Sequence, residues 1–145
     1  MTAPVRVAIA LGSNLGDRDA HLHYAIDRLR SALSDVRVSH FYNTPAEGVD
    51  DPQPDYLNAV VSGATTLGPH ALLDLMLTIE RERGRTRPSF RASRTLDLDL
   101  IFYGDQVIND PDLTVPHPRW AEREFVRKPL SEVWPGAASS AECGV

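Results

Sequence analysis

The sequence predicts an α+β domain in which two amphipathic helices cover one side of an antiparallel sheet, and three observations lead there. Short β-branched or leucine-rich runs alternate with two longer stretches whose apolar residues recur at the helical period. The elements follow one another as β, α, β, β, α, β, with turn-forming residues between them. The chain has 145 residues, 42% of them hydrophobic, which is enough for one core and therefore for a single domain over 1–145.

The first strand is VRVAIAL, residues 5–11, apolar at successive positions and so buried on both faces. GSNLGD then turns the chain, and Asp17 stands where a helix N-cap belongs. Leu22, Ala25, Ile26, Leu29 and Leu33 form the apolar stripe of that helix. VRVSHFY predicts a second strand at 36–42. The next segment, NTPAEGVDDPQPDY, holds three prolines and four acids and reads as a long loop, of a kind compact domains keep for closing over a ligand. YLNAVVSGATT (56–66) is the third strand; Pro69 opens the second helix, which Gly84 stops. An arginine-rich loop leads to TLDLDLIFY, a strand at 95–103. GDQ turns into a small appended hairpin, LTVPHPRW opens a last region holding one helix, and 136–145 reads as a flexible tail. Two helices on one face of a sheet built in this order is the ferredoxin-like arrangement.

A net charge of −5 disfavours a nucleic-acid or anionic-membrane binder, because such binding rests on basic surface. The single Cys143 excludes an internal disulfide framework and a cysteine metal site. No apolar run approaches the roughly 20 residues that span a bilayer, and no charged-then-apolar leader opens the chain, so a cytoplasmic protein is the expectation. His21, His23, His40 and His70 show no metal-ligand spacing and read as surface or packing residues.

The chemistry concentrates in RTLDLDL, residues 94–100. Strand alternation sends Asp97 and Asp99 to one face, roughly 6.5 to 7 Å apart at Cα, and Leu96, Leu98 and Leu100 to the other. Two carboxylates so placed suit a hard cation such as Mg²⁺ together with phosphate oxygens. A solvated sheet face is the alternative that spacing alone leaves open. Arg81, Arg83, Arg85, Arg87, Arg91 and Arg94 crowd into the fourteen positions 81–94. Arg81 and Arg83 alternate with Glu80 and Glu82, whereas the other four lie past Gly84 without acidic neighbours and are suited to holding phosphate bidentately. There is no P-loop and no kinase signature, so a nucleotide here would rely on arginines and metal. Glu80 falls on the apolar stripe of Leu73, Met76 and Leu77, where a carboxylate needs a partner, and Asn58 sits in an apolar strand, where an amide needs a specific hydrogen bond. By pattern alone Tyr56 and Phe125 read as core residues or stacking rings, and His117, between two prolines, as a stiff turn residue.

GSNLGD, the TP that precedes PDYLNAV, IERERGR, RTLDLDL and LTVPHPR-x-x-x-R-x-F, in this order over about residues 5–135, resemble the 6-hydroxymethyl-7,8-dihydropterin pyrophosphokinase family of folate biosynthesis. The resemblance implies a ferredoxin-like fold and transfer of the β,γ-diphosphate of ATP to the pterin hydroxymethyl group, releasing AMP. It assigns Asp97 and Asp99 to two Mg²⁺ ions and groups them with Arg85 and Arg94 as the catalytic set. It places Glu80, Arg85, Arg87, Arg94, His117 and Arg123 around ATP, the co-substrate. For the pterin it implies backbone groups at Thr44 and Pro45, rings at Tyr56 and Phe125 and the amide of Asn58, a set suited to a flat ring with several donors and acceptors. It further implies small-molecule partners only, no nucleic acid or membrane, and a monomer. No general base stands out. Another two-metal nucleotidyl enzyme, or a binding module with structural aspartates, is the alternative. The chain departs from the family pattern at Arg91-Ala92-Ser93, at Lys128, where an apolar residue is usual, and in a short segment after Pro135.

Overall fold

A computed structural model describes residues 3–45, 55–84 and 95–134. Its elements are β1 (Val5–Ser13), α1 (Arg18–Arg30), β2 (Ser34–Val38), β3 (Tyr42–Thr44), β4 (Tyr56–Thr65), α2 (Pro69–Glu82), β5 (Asp97–Tyr103), β6 (Ile108–Asp110), β7 (Leu113–Val115), a 3-10 turn at Trp120–Glu122 and α3 (Glu124–Val133). The main sheet runs β2-β4-β1-β5, with β3 also on β4, and β6 and β7 form a separate hairpin. All the pairings are antiparallel. This is the ferredoxin-like order expected from the sequence, with β1 and β4 in the middle because they carry the longest apolar runs.

The sheet has two packed faces. Val7, Ile9 and Leu11 of β1, Ala59 and Val61 of β4, and Leu98, Leu100 and Tyr103 of β5 meet Leu22, Ala25, Ile26 and Leu29 of α1 and Leu72, Met76 and Ile79 of α2. The alternate residues Ala8, Val60, Ile101 and Phe102 meet Val126, Leu130 and Val133 of α3, and the Ser62 hydroxyl donates to the Val133 carbonyl at 2.7 Å. Two helices on one face are as expected; the last helix covers the other.

Two predicted boundaries change for identifiable reasons. The single strand expected at 36–42 is two short strands, β2 and β3, on the same flank of β4. At the break, the Ser39 hydroxyl accepts the Val60 N–H at 2.9 Å, a bond that a main-chain carbonyl makes in an uninterrupted ladder. The first helix ends at Arg30 rather than Leu33, with Ser31 Oγ donating to the Arg28 carbonyl at 2.6 Å. Its start is as predicted: the Asp17 carboxylate accepts the Ala20 N–H at 3.1 Å. The strand expected from 95 begins at Asp97. The tail at 136–145 lies outside the described residues.

Candidate active site

Among the described residues, those of α3 cover only part of the second face of the sheet. Beyond Ala8 and Ala10 the same face continues as Gly12, and the register sets Gly12 opposite Asp97 on one side and Asn58 on the other, while Ala10 stands opposite Asp99 and Val60. Both aspartates therefore face away from the helical core, half-buried, beside residues too small to fill the space above β1. Leu98 and Leu100 point the other way and are buried.

Glu80 braces this strand from behind. It is 3% exposed, and its Oε2 accepts the Leu98 N–H at 2.7 Å. Among the described residues β5 is an edge strand, and α2 supplies the acceptor for the Leu98 N–H in place of a strand neighbour. The expected need of Glu80 for a partner is met by the backbone between the two aspartates.

His117 is tied to the same strand. Between Ala8 and Ile9 the β1–β5 register shifts by one, leaving Ile101 as an extra residue, and the Ile101 carbonyl accepts the His117 N–H at 3.1 Å. His117 Nδ1 accepts the Arg119 N–H at 3.2 Å, which leaves Nε2 as the donor of the neutral ring. Burial holds the imidazole below its ordinary pKa, the Arg123 guanidinium adds to this, and the nearby Asp97 carboxylate opposes it. Asp97, His117 and Arg123 thus belong to one neighbourhood. Arg123 also lies 5.5 Å from the centre of the Phe125 ring, and Phe125 is half-buried against the α3 cluster.

A second pocket edge forms where β3 meets β4. Thr44 pairs with Tyr56 and Tyr42 with Asn58. Asn58 is buried, and its Nδ2 donates to Thr44 Oγ1 at 2.5 Å. A Cβ placed on Gly12 would stand 3.3 Å from Asn58 Oδ1 and 3.4 Å from Tyr56 Cδ1, so glycine lets the amide and the ring approach the sheet. Pro45 follows, exposed. Gly12 is a site residue that the sequence reading passed over; its cross-strand place opposite both Asn58 and Asp97 is a matter of register, which composition does not reveal.

On the far side of the aspartates, along the free edge of β5, a cleft of about 300 Å³ is lined by Leu73 and Met76 of α2, Leu98, Asp99 and Leu100 of β5, Leu113 and Thr114 of β7, and His117. Its outer rim carries a histidine–aspartate cluster absent from the sequence reading, in which His70 Nε2 lies 3.1 Å from Asp110 Oδ2 and 3.3 Å from Asp112 Oδ1, all exposed. The other histidines fit the expectation of surface or packing roles: His21 accepts from Arg83 Nε at 2.9 Å, His23 packs on Phe41, and His40 meets Glu132 at 2.9 Å. Arg85, Arg87, Arg91 and Arg94 lie outside the described residues, as do Ala92 and Ser93.

The structure thus brings Asp97, Asp99, Glu80, His117 and Arg123 around one strand, with Thr44, Tyr56 and Asn58 across β1 from it. Comparison with known proteins gives this geometry a family. A family model described as 7,8-dihydro-6-hydroxymethylpterin-pyrophosphokinase (HPPK) matches residues 8–135. A Bacillus subtilis 2-amino-4-hydroxy-6-hydroxymethyldihydropteridine pyrophosphokinase is 43% identical over 127 residues, covering 86% of this chain and 75% of that protein. The Haemophilus influenzae protein of the same name is 45% identical over 128 residues, covering 86% and 79%. A mitochondrial folate synthesis bifunctional protein of Arabidopsis thaliana is 44% identical over 128 residues, which are 88% of this chain and 23% of the plant protein, so the chain spans about a quarter of that relative. In fold, a Plasmodium falciparum HPPK-DHPS triple mutant crystallised with STZ-DHP aligns with a TM-score of 0.72 at 13% identity, over 93% of this chain and 40% of that one. These matches do not favour the alternatives of another two-metal nucleotidyl enzyme or a non-catalytic module. The chain belongs to the 7,8-dihydro-6-hydroxymethylpterin-pyrophosphokinase family.

Proposed function

We propose that this chain transfers the β,γ-diphosphate of ATP to the hydroxymethyl oxygen of 6-hydroxymethyl-7,8-dihydropterin. The observation that carries this reading is the row Asp97, Gly12, Asn58, which runs across the sheet between the cleft on the β5 edge and the Thr44–Tyr56 pocket. The acceptor hydroxyl oxygen attacks the β-phosphorus and gives up its proton to solvent, the bond from that phosphorus to the α-phosphate oxygen breaks, and AMP leaves with that oxygen.

The residues divide the task. Asn58 donates one Nδ2 hydrogen to Thr44 Oγ1, and its Oδ1 lies over Gly12, where it can accept an N–H of the pterin edge. Tyr56 and Phe125 offer rings for stacking, with Thr44 and Pro45 at the rim. The cleft walls of Leu73, Met76 and Leu113 suit the nucleoside, with the open edge of β5 to bond its polar atoms. Asp97 and Asp99 fit magnesium: they are hard oxygen donors on one face, half-buried, with neighbouring positions occupied by glycine and alanine. Two such ions, when bound, would supply charge neutralisation for the triphosphate. His117 and Arg123 add positive or donor character beside Asp97, and Glu80 fixes the strand between the aspartates. On the sequence pattern, Arg85, Arg87 and Arg94 complete the phosphate contacts. We carry the protein forward as a cytoplasmic monomer acting on small molecules, which sedimentation and cell fractionation test.

Incubation with MgATP and the hydroxymethyl dihydropterin should yield AMP in step with the pterin diphosphate. Formation of ADP, or nucleotide turnover that ignores the pterin, would overturn the proposal. Asp97→Asn and Asp99→Asn keep the side-chain shape and lose the charge, so each should slow turnover by about a hundredfold or more while the melting temperature holds. Full activity in either variant removes the metal role from that residue.

A further inference from the structure

We propose that Arg18 is a positioning residue for the acceptor pocket, acting through Asn43 and Asp55. The inference rests on the assignment of Thr44, Tyr56 and Asn58 to the pterin. Arg18 is the first residue of α1, directly after the Asp17 N-cap. Its Nη1 donates to Asn43 Oδ1 at 2.7 Å and to the Asp55 carbonyl at 2.8 Å, linking residues 25 and 37 positions away. Asn43 Nδ2 then donates to Asp55 Oδ2 at 2.8 Å. One cation therefore joins the start of α1, the middle of β3 and the residue before β4.

The position of this knot decides its consequence. Asn43 and Asp55 are the immediate neighbours of Thr44 and Tyr56, which pair across the ladder, and Thr44 Oγ1 is the atom that orients the Asn58 amide. β3 has three residues on a sheet flank, too few to fix its own register. At its other end the strand is held by Glu132 of α3, which accepts from the His40 N–H at 2.8 Å and from the Tyr42 hydroxyl. Arg18 is the matching restraint at the pocket end. Among the described residues its acceptors are both neutral oxygens, and the bonds are charge-assisted by the guanidinium. Removing the side chain leaves Asn43 and Asp55 held only by their mutual bond and the short β3 ladder, which loosens the spacing between Thr44 and Tyr56. The β5 cleft and Asp97 and Asp99 lie on the opposite side of β1 and are not touched.

The test is steady-state kinetics with MgATP and the hydroxymethyl dihydropterin on Arg18→Ala, Arg18→Lys, Asn43→Ala and Asn58→Ala, each checked for folding by thermal melt. Arg18→Ala should raise the KM for the pterin about tenfold, with the KM for ATP within about twofold of the parent and kcat within about threefold. Arg18→Lys, which keeps a donor and the charge, should recover part of the pterin KM. Asn43→Ala cuts the same link from the other side and should reproduce the pterin effect, which keeps the test open should Arg18→Ala fail to fold. If Asn58→Ala raises the pterin KM while Arg18→Ala and Asn43→Ala leave it unchanged, the positioning role is overturned and the pocket assignment stands. If Asn58→Ala also leaves it unchanged, the pocket assignment fails and takes the inference with it. Equal rises in both KM values for Arg18→Ala mark general structural damage and likewise overturn it.

Discussion

Glu80 shows how one buried side chain can govern two half-buried ones. Its carboxylate is almost wholly removed from water, a costly placement that the Leu98 N–H on the free strand edge offsets. Glu80→Ala would leave that N–H without its acceptor and should cost about 1 to 3 kcal/mol of stability, whereas Glu80→Gln keeps an acceptor oxygen and should cost less. Chemical denaturation of both variants checks the order; a Gln variant as damaged as the Ala one would mean that charge, and not the hydrogen bond, is what the site requires. At this scale the sequence was informative about type and silent about geometry. A carboxylate among Leu73, Met76 and Leu77 announces that it has a partner, and an asparagine between Leu57 and Ala59 does the same. Neither announces which partner: one is a main-chain N–H eighteen residues on, the other a threonine hydroxyl on a strand whose pairing the local pattern leaves open.

Among the elements, α1 and α2 are tied at their exposed ends by Glu82, which accepts from Arg28 Nε at 2.7 Å and Nη2 at 3.1 Å and from the Tyr24 hydroxyl at 2.6 Å. The Arg28 bonds, then the Tyr24 bond, lower the Glu82 pKa from 4.5 to about 2. A carboxyl whose pKa falls on folding stabilises in full above its unfolded value and loses that contribution as protons bind, so the loss spans pH 4.5 down to about 2. Glu82→Gln should therefore flatten the fall in melting temperature across that window, and salt should shrink the difference because the pair is exposed. Parallel melting curves for the two proteins would exclude the tie as a source of acid sensitivity. The helices themselves were legible, since their stripes and stop signals are local. The division of one strand into β2 and β3 was not, because Ser39 substitutes a hydroxyl for a ladder acceptor without altering the apolar pattern. Nor was the face chosen by α3: an amphipathic helix declares which side it buries but not against which side of a sheet.

Across the whole molecule, the cleft and the corner proposed for ATP and the pterin share no described residue. The cleft beyond the β5 edge lies on one side, and the Thr44–Tyr56–Asn58 corner lies on the other side of β1. Independent perturbation should follow. Thr114 is exposed and lines the cleft from β7, so Thr114→Trp fills cleft volume at a strand position that tolerates a large ring. The KM for ATP should rise about tenfold and that for the pterin stay within about twofold; a rise confined to the pterin would reverse the assignment of the two regions.

The irregularity at Ile101 bears on how this molecule can change length. Deleting Ile101 would let β5 pair with β1 without interruption, and every remaining residue would keep its side: Asp97, Asp99 and Phe102 outward, Leu98, Leu100 and Tyr103 toward the helices. The strand therefore carries one residue of slack, and the carboxylates do not depend on it. What depends on it is the hook for His117, whose N–H is held by the Ile101 carbonyl. The spare residue adds no rung to the sheet; its side chain packs against α3, and its carbonyl moors a second segment of chain beside the aspartates.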